Sequence, residues 1–133
     1  MIDKKFEPAT EIGQYWDGIG GDRWVSNINR LDEMLAPTTS ILMNEISKHS
    51  SKNTLELGCG AGDLAIAASS HGHVANIDAV DISYNILDLA KKRNQNNSRI
   101  NFIHCDAETY SFKNNFYDLI YSRFGVMFFN DPN

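Results

Sequence analysis

The sequence is poor in cysteine and contains no long apolar run. Only two cysteines occur among its 133 residues, Cys59 and Cys105, and neither belongs to a CxxC or Cys/His cluster, which argues against a disulfide framework and a zinc site. No apolar stretch approaches the roughly 20 residues of a membrane-spanning helix, and the N-terminus is charged where a secretion signal would be apolar. We therefore expect a cytoplasmic protein with reduced thiols, no bound metal and no membrane partner.

Basic residues are scarce as well. The chain carries 12 Lys and Arg residues against 17 Asp and Glu, a formal charge of -5, so it would repel the phosphate backbone of a nucleic acid. Its only basic cluster, residues 91–93, is typical of a helix C-terminus, where cations oppose the macrodipole. With 42% hydrophobic and 22% charged residues, the composition fits one globular domain, and no nucleic-acid partner is expected.

Residues 1–53 have the pattern of a helical leader. An apolar stripe with helical spacing predicts one helix that ends before Pro37. The stripe consists of Trp24, Ile28, Leu31 and Leu35. Hydrophobic residues at 41, 42 and 46 predict a second helix.

From residue 54 the pattern changes to short apolar strands that alternate with helices, the signature of βαβ units and a parallel sheet. Strands are predicted at 54–57, 76–81, 99–104 and 117–121. A crossover helix over 62–71 would stop at Gly72, and Ser83 would cap the next helix. The sequence therefore predicts an α/β fold, a Rossmann-like parallel sheet flanked by helices, with a leader (1–53) and a core (54–133) in a single domain.

The strongest chemical signal is a glycine-rich turn between the first strand and its helix, LELGCGAG at 55–62. Glycine permits a tight turn and lets the backbone approach a bound nucleoside closely. The helix N-terminus beyond the turn offers free N–H groups to polar or anionic ligand atoms.

The spacing of this turn discriminates between ligand classes. A dinucleotide fingerprint, GxGxxG, requires glycine at position 63, where this chain has Asp63. The glycines at 58, 60 and 62 give GxGxG instead. An aspartate at the mouth of the ligand site formed by this turn would also repel a pyrophosphate. Glu56, two residues before the first glycine, would suit a cationic ligand better than an anionic one.

Acidic residues follow the next two strands. Asp81 lies about 20 residues beyond the glycine turn, the interval of a ribose-binding carboxylate, and its two oxygens could accept both ribose hydroxyls. Asp106 follows the third strand at the same edge of the sheet and could accept from an adenine amino group. The fourth strand leads to Arg123 and the apolar run 124–129.

In this order the four segments resemble the motifs of class I S-adenosylmethionine-dependent methyltransferases, in particular the type 11-like small-molecule enzymes. ELGCGAG resembles the first motif, VDIS the second, CDAE the third and FYDLIYSRFGVMFF the fourth. The resemblance implies an enzyme that transfers a methyl group from S-adenosylmethionine, leaving S-adenosylhomocysteine, to a small-molecule acceptor. It implies nine cofactor-binding residues, namely Glu56, Gly58, Cys59, Gly60, Asp81, Ile82, Asp106, Ala107 and Ser122.

The resemblance also implies where parts of the cofactor would lie. The first-motif residues at 56, 58 and 60 would surround the methionine portion, Asp81 would bind the ribose, and Ile82 would pack on adenine. Asp106 and Ala107 would meet the adenine edge.

The leader resembles the N-terminal segment that closes over the cofactor in small-molecule methyltransferases, with Tyr15, Trp16 and Trp24 as its aromatic residues. Trp24 is either a cofactor contact or plain core. Arg30 is either a ligand for the methionine carboxylate or a solvated surface residue. No catalytic residue is assigned, because methyl transfer can depend on positioning alone; His104 is either a base or a packed strand-end residue.

Proteins of this family continue through three more strands, so we expect the chain to be truncated after the fourth. A sheet edge exposed there predicts a homo-oligomer, a swapped dimer or poor solubility. Three functions stay open: a methyltransferase, a non-catalytic S-adenosylmethionine-binding fragment, and, less favoured by Asp63 and the CDAE segment, a nicotinamide-dependent oxidoreductase.

Overall fold

The structure, a computed structural model, describes residues 6–131. Three helices come first and are followed by strands that alternate with helices, which confirms the predicted α/β class with a helical leader. The elements are α1 Glu11–Trp16, α2 Ile19–Ser26, α3 Ile28–Ile46, β1 Ser51–Leu57, α4 Asp63–Ser69, β2 Val74–Asp81, α5 Tyr84–Arg93, β3 Ile100–His104 and β4 Leu119–Tyr121, with a 3₁₀ turn at Val126–Phe128.

The four strands form one sheet in the order β3-β2-β1-β4, and each neighbouring pair is parallel. The crossover between β1 and β2 runs through α4, and that between β2 and β3 through α5. All four strands therefore end at the same edge of the sheet, which is where open α/β sheets bind their ligands.

The core lies mainly between the sheet and the helices α3, α4 and α5. Small residues such as Ala65 and Ala68 are fully buried on α4 and allow the helix to lie close to the strands, while Leu64 and Leu87 fill the space between them. Ile86, Leu87 and Ala90 are the buried residues of α5, a helix that contacts β2 and β3.

The leader has three helices where two were predicted. No helix was predicted over α1, and the second predicted helix, with residues 41, 42 and 46, is the C-terminal part of α3. The apolar stripe is divided at Asn27, whose backbone N–H and side-chain amide both donate to the Arg23 carbonyl and close α2. Pro37 lies inside α3, so the prediction that a helix ends before it is wrong. A proline ring has a φ compatible with a helix and removes one hydrogen bond; burial of Leu35 and Ile46 on either side of Pro37 keeps the helix continuous.

Two predicted helix boundaries also change. α4 ends at Ser69 with Ser70 as its C-cap, so Gly72 lies beyond the helix and is not its stop. Ser83 does occupy the N-cap position of α5, but its hydroxyl makes no capping hydrogen bond. The Tyr84 N–H donates instead to the Asp17 carboxylate, 2.8 Å away.

The strands agree with the prediction within a few residues at their ends. β4 is the shortest strand. Just before it, the Asp118 carboxylate accepts from the backbone N–H groups of Lys52 and Asn53. Within the described part of the chain, no helix has the length and apolar character needed to cross a membrane.

Candidate functional site

A cavity lies between the carboxyl ends of the strands and the leader. It encloses about 950 Å³ of empty space, including its open mouth. Six of the predicted site residues line it: Gly58, Gly60, Asp81, Ile82, Asp106 and Ala107. These residues come from three separate segments of the sequence, and the parallel sheet brings them together because the segments all follow strand ends.

The three glycines of the turn adopt left-handed backbone conformations, with φ of 67°, 56° and 81° for Gly58, Gly60 and Gly62. They differ in what surrounds the position that a side chain would occupy. A Cβ on Gly58 would lie 2.8 Å from the Cα of Gly125, so two loops touch there. A Cβ on Gly60 would meet nothing within 4 Å. A Cβ on Gly62 would press on Ala90. Gly60 is therefore the glycine whose bare backbone faces open space.

Asp81 is fixed at the edge of the cavity by the glycine turn itself. Its Oδ2 accepts from the Gly60 N–H at 2.8 Å and its Oδ1 from the Ser83 N–H at 2.9 Å. Burial raises the pKa of the Asp81 carboxyl, and these backbone N–H groups lower it in part. The carboxylate is thus held in one orientation, with the remaining lone pairs of both oxygens available to a ligand.

The third segment forms the neighbouring wall. Asp106 Oδ1 accepts from the Glu108 N–H at 3.0 Å, which rigidifies the turn after β3. His104 Nε2 donates to the Ile82 carbonyl at 2.9 Å, and the imidazole side chain is buried. Of the two interpretations of His104, the structure supports a packed residue that holds the Ile82 loop.

Three predicted residues do not line the cavity. Glu56 is buried in the sheet and accepts from the Tyr121 hydroxyl at 3.1 Å, and burial raises the pKa of its carboxyl to about 8. Cys59 is buried, which raises the pKa of its thiol. Ser122 donates to the Leu57 carbonyl at 2.8 Å and supports the loop behind the cavity.

The charge of Asp63 is not directed at the cavity mouth. Its carboxylate forms a two-pronged ion pair with the Arg123 guanidinium, with N–O distances of 2.5 and 2.9 Å. The expectation that Asp63 would repel a pyrophosphate is therefore wrong, because Arg123 neutralises it. The GxGxG spacing is unaffected by this correction.

The leader forms the roof of the cavity. Trp16 and Trp24 line it, and Trp16 packs edge-on against the rings of Trp24 and Phe128, with centroid distances of 5.8 and 5.1 Å. Tyr15 is exposed and does not line the cavity. Arg30 is an exposed residue of α3 outside it, and the arginine at the cavity is Arg123.

Sequence reasoning missed two features of the site. The first is Asp17, whose carboxylate joins the leader to α5. The second is the loop after β4, where Phe124 and Gly125 line the cavity. The glycine at 125 was a usable signal, since glycine following an apolar strand often marks a close backbone approach.

Comparison with known proteins agrees with this geometry. A family model described as a methyltransferase domain matches residues 54–133, more than half of the chain. Demethylmenaquinone methyltransferase from Staphylococcus saprophyticus is 30% identical over 86 residues, which cover 64% of this chain and 37% of that protein. The Bacillus licheniformis enzyme of the same name is 34% identical over 73 residues, covering 54% of this chain and 32% of that protein. The chain spans about a third of the length of these curated relatives.

Solved structures share the fold. A Methanococcus maripaludis protein assigned to the S-adenosylmethionine-dependent methyltransferases superposes with a TM-score of 0.72 at 25% identity, covering 96% of this chain and 57% of that chain. The plantazolicin methyltransferase BpumL, solved with S-adenosylhomocysteine (SAH), gives a TM-score of 0.68 at 22% identity, covering 91% and 48%. The second likeness shows the fold alone. The glycine turn, the strand-end carboxylates and the matched residues lead to one conclusion: the chain belongs to the methyltransferase-domain family, in the class I S-adenosylmethionine-dependent group.

Proposed function

We propose that the chain binds S-adenosylmethionine in the cavity at the strand ends and that the protein transfers its methyl group to a small molecule. The observation that carries the proposal is the fixed carboxylate of Asp81, joined to the bare backbone of Gly60 at the cavity edge. Such a carboxylate suits the two hydroxyls of a ribose, and the open space at Gly60 suits the part of a nucleoside that must approach the backbone closely.

The remaining walls fit the same ligand. Ile82 offers an apolar surface for a purine ring, and Asp106 has one carboxylate oxygen outside its hydrogen bond to Glu108 N–H, which suits an exocyclic amino group. When bound, S-adenosylmethionine supplies an electrophilic methyl group on a sulfonium. The chain's own residues hold and orient the ligands; this positioning is the expected source of catalysis, so no general acid or base is assigned.

Two alternatives remain alongside this proposal. A chain that keeps the nucleoside site without transferring a methyl group would bind S-adenosylmethionine and release no product. A nicotinamide-dependent oxidoreductase would bind NAD. Asp63 at the position of the third fingerprint glycine disfavours it, whereas the charge of Asp63, neutralised by Arg123, is no longer an argument against it.

Calorimetric titration distinguishes the ligand classes. S-adenosylmethionine and SAH are expected to bind and NAD is not. Asp81→Asn, which keeps one acceptor for the backbone N–H groups, should weaken S-adenosylmethionine binding about tenfold or more. Asp88→Asn, the same change at a residue of α5 that pairs with Lys92 and does not line the cavity, should leave it unchanged. Binding of NAD alone, or no effect of Asp81→Asn, would contradict the proposed site.

Transfer itself is tested with S-adenosylmethionine carrying a radiolabelled methyl group. Because the chain spans only about a third of its curated relatives, the assay belongs with the longest form of the protein that can be prepared. The relatives' name, demethylmenaquinone methyltransferase, makes that quinone one of the acceptors to test. If the label stays on S-adenosylmethionine whichever acceptor is added, the result would favour the non-catalytic S-adenosylmethionine-binding fragment.

Compartment and assembly are part of the same proposal. Two buried, unpaired thiols, Cys59 and Cys105, fit the reducing cytoplasm, and the acidic charge disfavours a nucleic-acid acceptor.

In the described sheet β4 is an edge strand, with Ile120 56% exposed. We expect a second copy to associate along this edge; Ile120→Lys should then lower the mass measured by light scattering, whereas a monomeric parent chain would contradict it.

A further inference from the structure

Arg123 is the one cation among the described residues that line the cavity. Its side chain is only 8% exposed, so the guanidinium is buried in the cavity wall. Three acidic residues, Asp81, Asp106 and Glu108, give the remainder of this lining a negative charge. A carboxylate on a ligand would be repelled by these acids and would find its charged hydrogen-bond donor at Arg123.

The ion pair with Asp63 does not use all the donors of the guanidinium. Nη1 donates to one Asp63 oxygen and to the Thr39 hydroxyl of α3, and Nη2 donates to the other Asp63 oxygen. These contacts use three of the five N–H groups of an arginine. The other two, on Nε and Nη2, point in the same direction and form a second fork, which matches the two oxygens of a carboxylate.

The strand order places Arg123 on the far side of the cavity from the proposed nucleoside wall. Asp81 ends β2 and Asp106 follows β3, whereas Arg123 lies just after β4. Gly58 follows β1, which lies between β2 and β4 in the sheet. A Cβ on Gly58 would lie 2.8 Å from the Cα of Gly125, so the loop that carries Arg123 touches the glycine turn. A nucleoside held at β2 and β3 would therefore direct the group attached to its ribose towards Arg123.

The buried carboxyl of Glu56 does not compete for this arginine. Glu56 is close enough to interact electrostatically with Arg123 and Asp63, and burial raises the pKa of its carboxyl to about 8. At pH 7 this carboxyl is mostly protonated, so it neither neutralises the guanidinium nor repels an anionic group of a ligand. The amino-acid end of S-adenosylmethionine carries such a group, a carboxylate.

We propose that Arg123 binds the carboxylate at the amino-acid end of the cofactor through its Nε–H and its second Nη2–H, while Asp63 and Thr39 hold the guanidinium from the other side. Arg123 thus takes the role that the sequence left open for Arg30, which is exposed on α3 outside the cavity. This inference rests on the proposed function, since it requires the nucleoside of the same ligand to lie at Asp81.

The test compares two ligands that differ only in this carboxylate. Calorimetry on the full chain measures the affinities of SAH and of decarboxylated SAH, in which a hydrogen replaces the carboxylate. The parent chain should prefer SAH about tenfold or more, the usual effect of a hydrogen bond to a charged group. Arg123→Gln should abolish this preference by weakening SAH alone. Arg123→Lys keeps a cation opposite Asp63 but loses the fork, so it should retain only part of the preference.

Asp63→Asn is the matched control, because it breaks the same ion pair from the other side. If Arg123 only supported the fold, the substitutions at 63 and 123 would change the affinities of both ligands alike. We expect Asp63→Asn to keep the preference for SAH at the parent value or above, since the guanidinium keeps its free fork and loses a competing carboxylate. The Tm of each variant shows whether it is folded, and if Arg123→Gln is not, Arg123→Lys and Asp63→Asn decide the question.

Failure of this inference differs from failure of the proposed function. If SAH and S-adenosylmethionine both fail to bind the folded parent chain, the proposed function is wrong. If SAH binds but decarboxylated SAH binds equally well, the nucleoside site stands and the role of Arg123 is wrong. Full preference for SAH in a folded Arg123 variant, or loss of that preference in Asp63→Asn, would overturn it as well.

Discussion

Asp17 and Tyr84 are joined by a hydrogen bond of 2.8 Å between the Asp17 carboxylate and the Tyr84 N–H. Asp17 is the C-cap of α1 and Tyr84 is the first residue of α5. The leader therefore supplies the cap that Ser83 does not. It also ties the leader, which forms the roof of the cavity, to the helix that follows Asp81 and Ile82.

Removing this cap should weaken both folding and binding. Asp17→Ala is expected to lower the free energy of unfolding by about 1 kcal/mol, a typical value for a lost cap, and to weaken SAH binding as the roof loosens. Urea denaturation and calorimetry measure the two effects. Glu33→Ala makes an equal charge change at an exposed site on α3. It should change the free energy of unfolding by no more than about 0.5 kcal/mol. Equal stability of the two variants would contradict the capping role.

Glu56 should make stability depend on pH. Its pKa is raised by burial from an ordinary 4.5 to about 8 in the folded chain, so the folded state keeps a proton that the unfolded state releases. Its contribution is therefore fully present below about pH 4.5 and is lost as pH rises towards 8, with a slope of at most about 1.4 kcal/mol per pH unit. Glu56→Gln should flatten the stability profile in this window. An unchanged slope in that variant would show that Glu56 is ionised in the fold.

The Asp63 and Arg123 ion pair should contribute measurably to stability. The two side chains are 22% and 8% exposed, and removing one leaves the other unpaired in a largely buried place. Because water still reaches Asp63, we expect Arg123→Ala to cost about 2 kcal/mol, below the range for fully buried pairs. A double-mutant cycle with Asp63→Ala gives the coupling energy.

An exposed pair provides the comparison for that cycle. Glu45 and Lys48 are 57% and 56% exposed, and their coupling energy should be much smaller, because water screens an exposed pair. Similar couplings for the two pairs would mean that water screens Asp63 and Arg123 as fully as a surface pair.

The effect of replacing a glycine by alanine should depend on whether the glycine belongs to the turn. Gly58→Ala places Cβ 2.8 Å from Gly125 Cα at a φ of +67°, so both strain and a backbone clash apply. We expect a loss of about 2 kcal/mol or more and no detectable SAH binding. Gly72→Ala, where Cβ meets nothing within 4 Å, should change neither Tm nor affinity. A stable, binding Gly58→Ala variant would show that the two loops can separate.

The local pattern of the sequence was enough to predict the sheet, and six of the nine residues expected to bind the cofactor line the cavity. Apolar strands alternating with helices can hardly form anything but a parallel sheet, and the residue after each strand must then lie at one edge. For this reason Gly58, Gly60, Asp81, Ile82, Asp106 and Ala107 reach the same cavity. The glycine spacing likewise indicated a tight turn, since three left-handed positions in five residues strongly favour glycine.

Tertiary packing decided the rest. Pro37 stays inside α3 because burial on both sides outweighs one missing backbone hydrogen bond. Glu56 turns to Tyr121, its partner across the sheet register, and Asp63 turns to Arg123, about 60 residues away. Local sequence fixes where a chain turns and which residues end a strand, because these depend on backbone conformation. The partner of a charge or a ring depends on segments that meet only when the chain has folded, and that relation is not encoded in spacing.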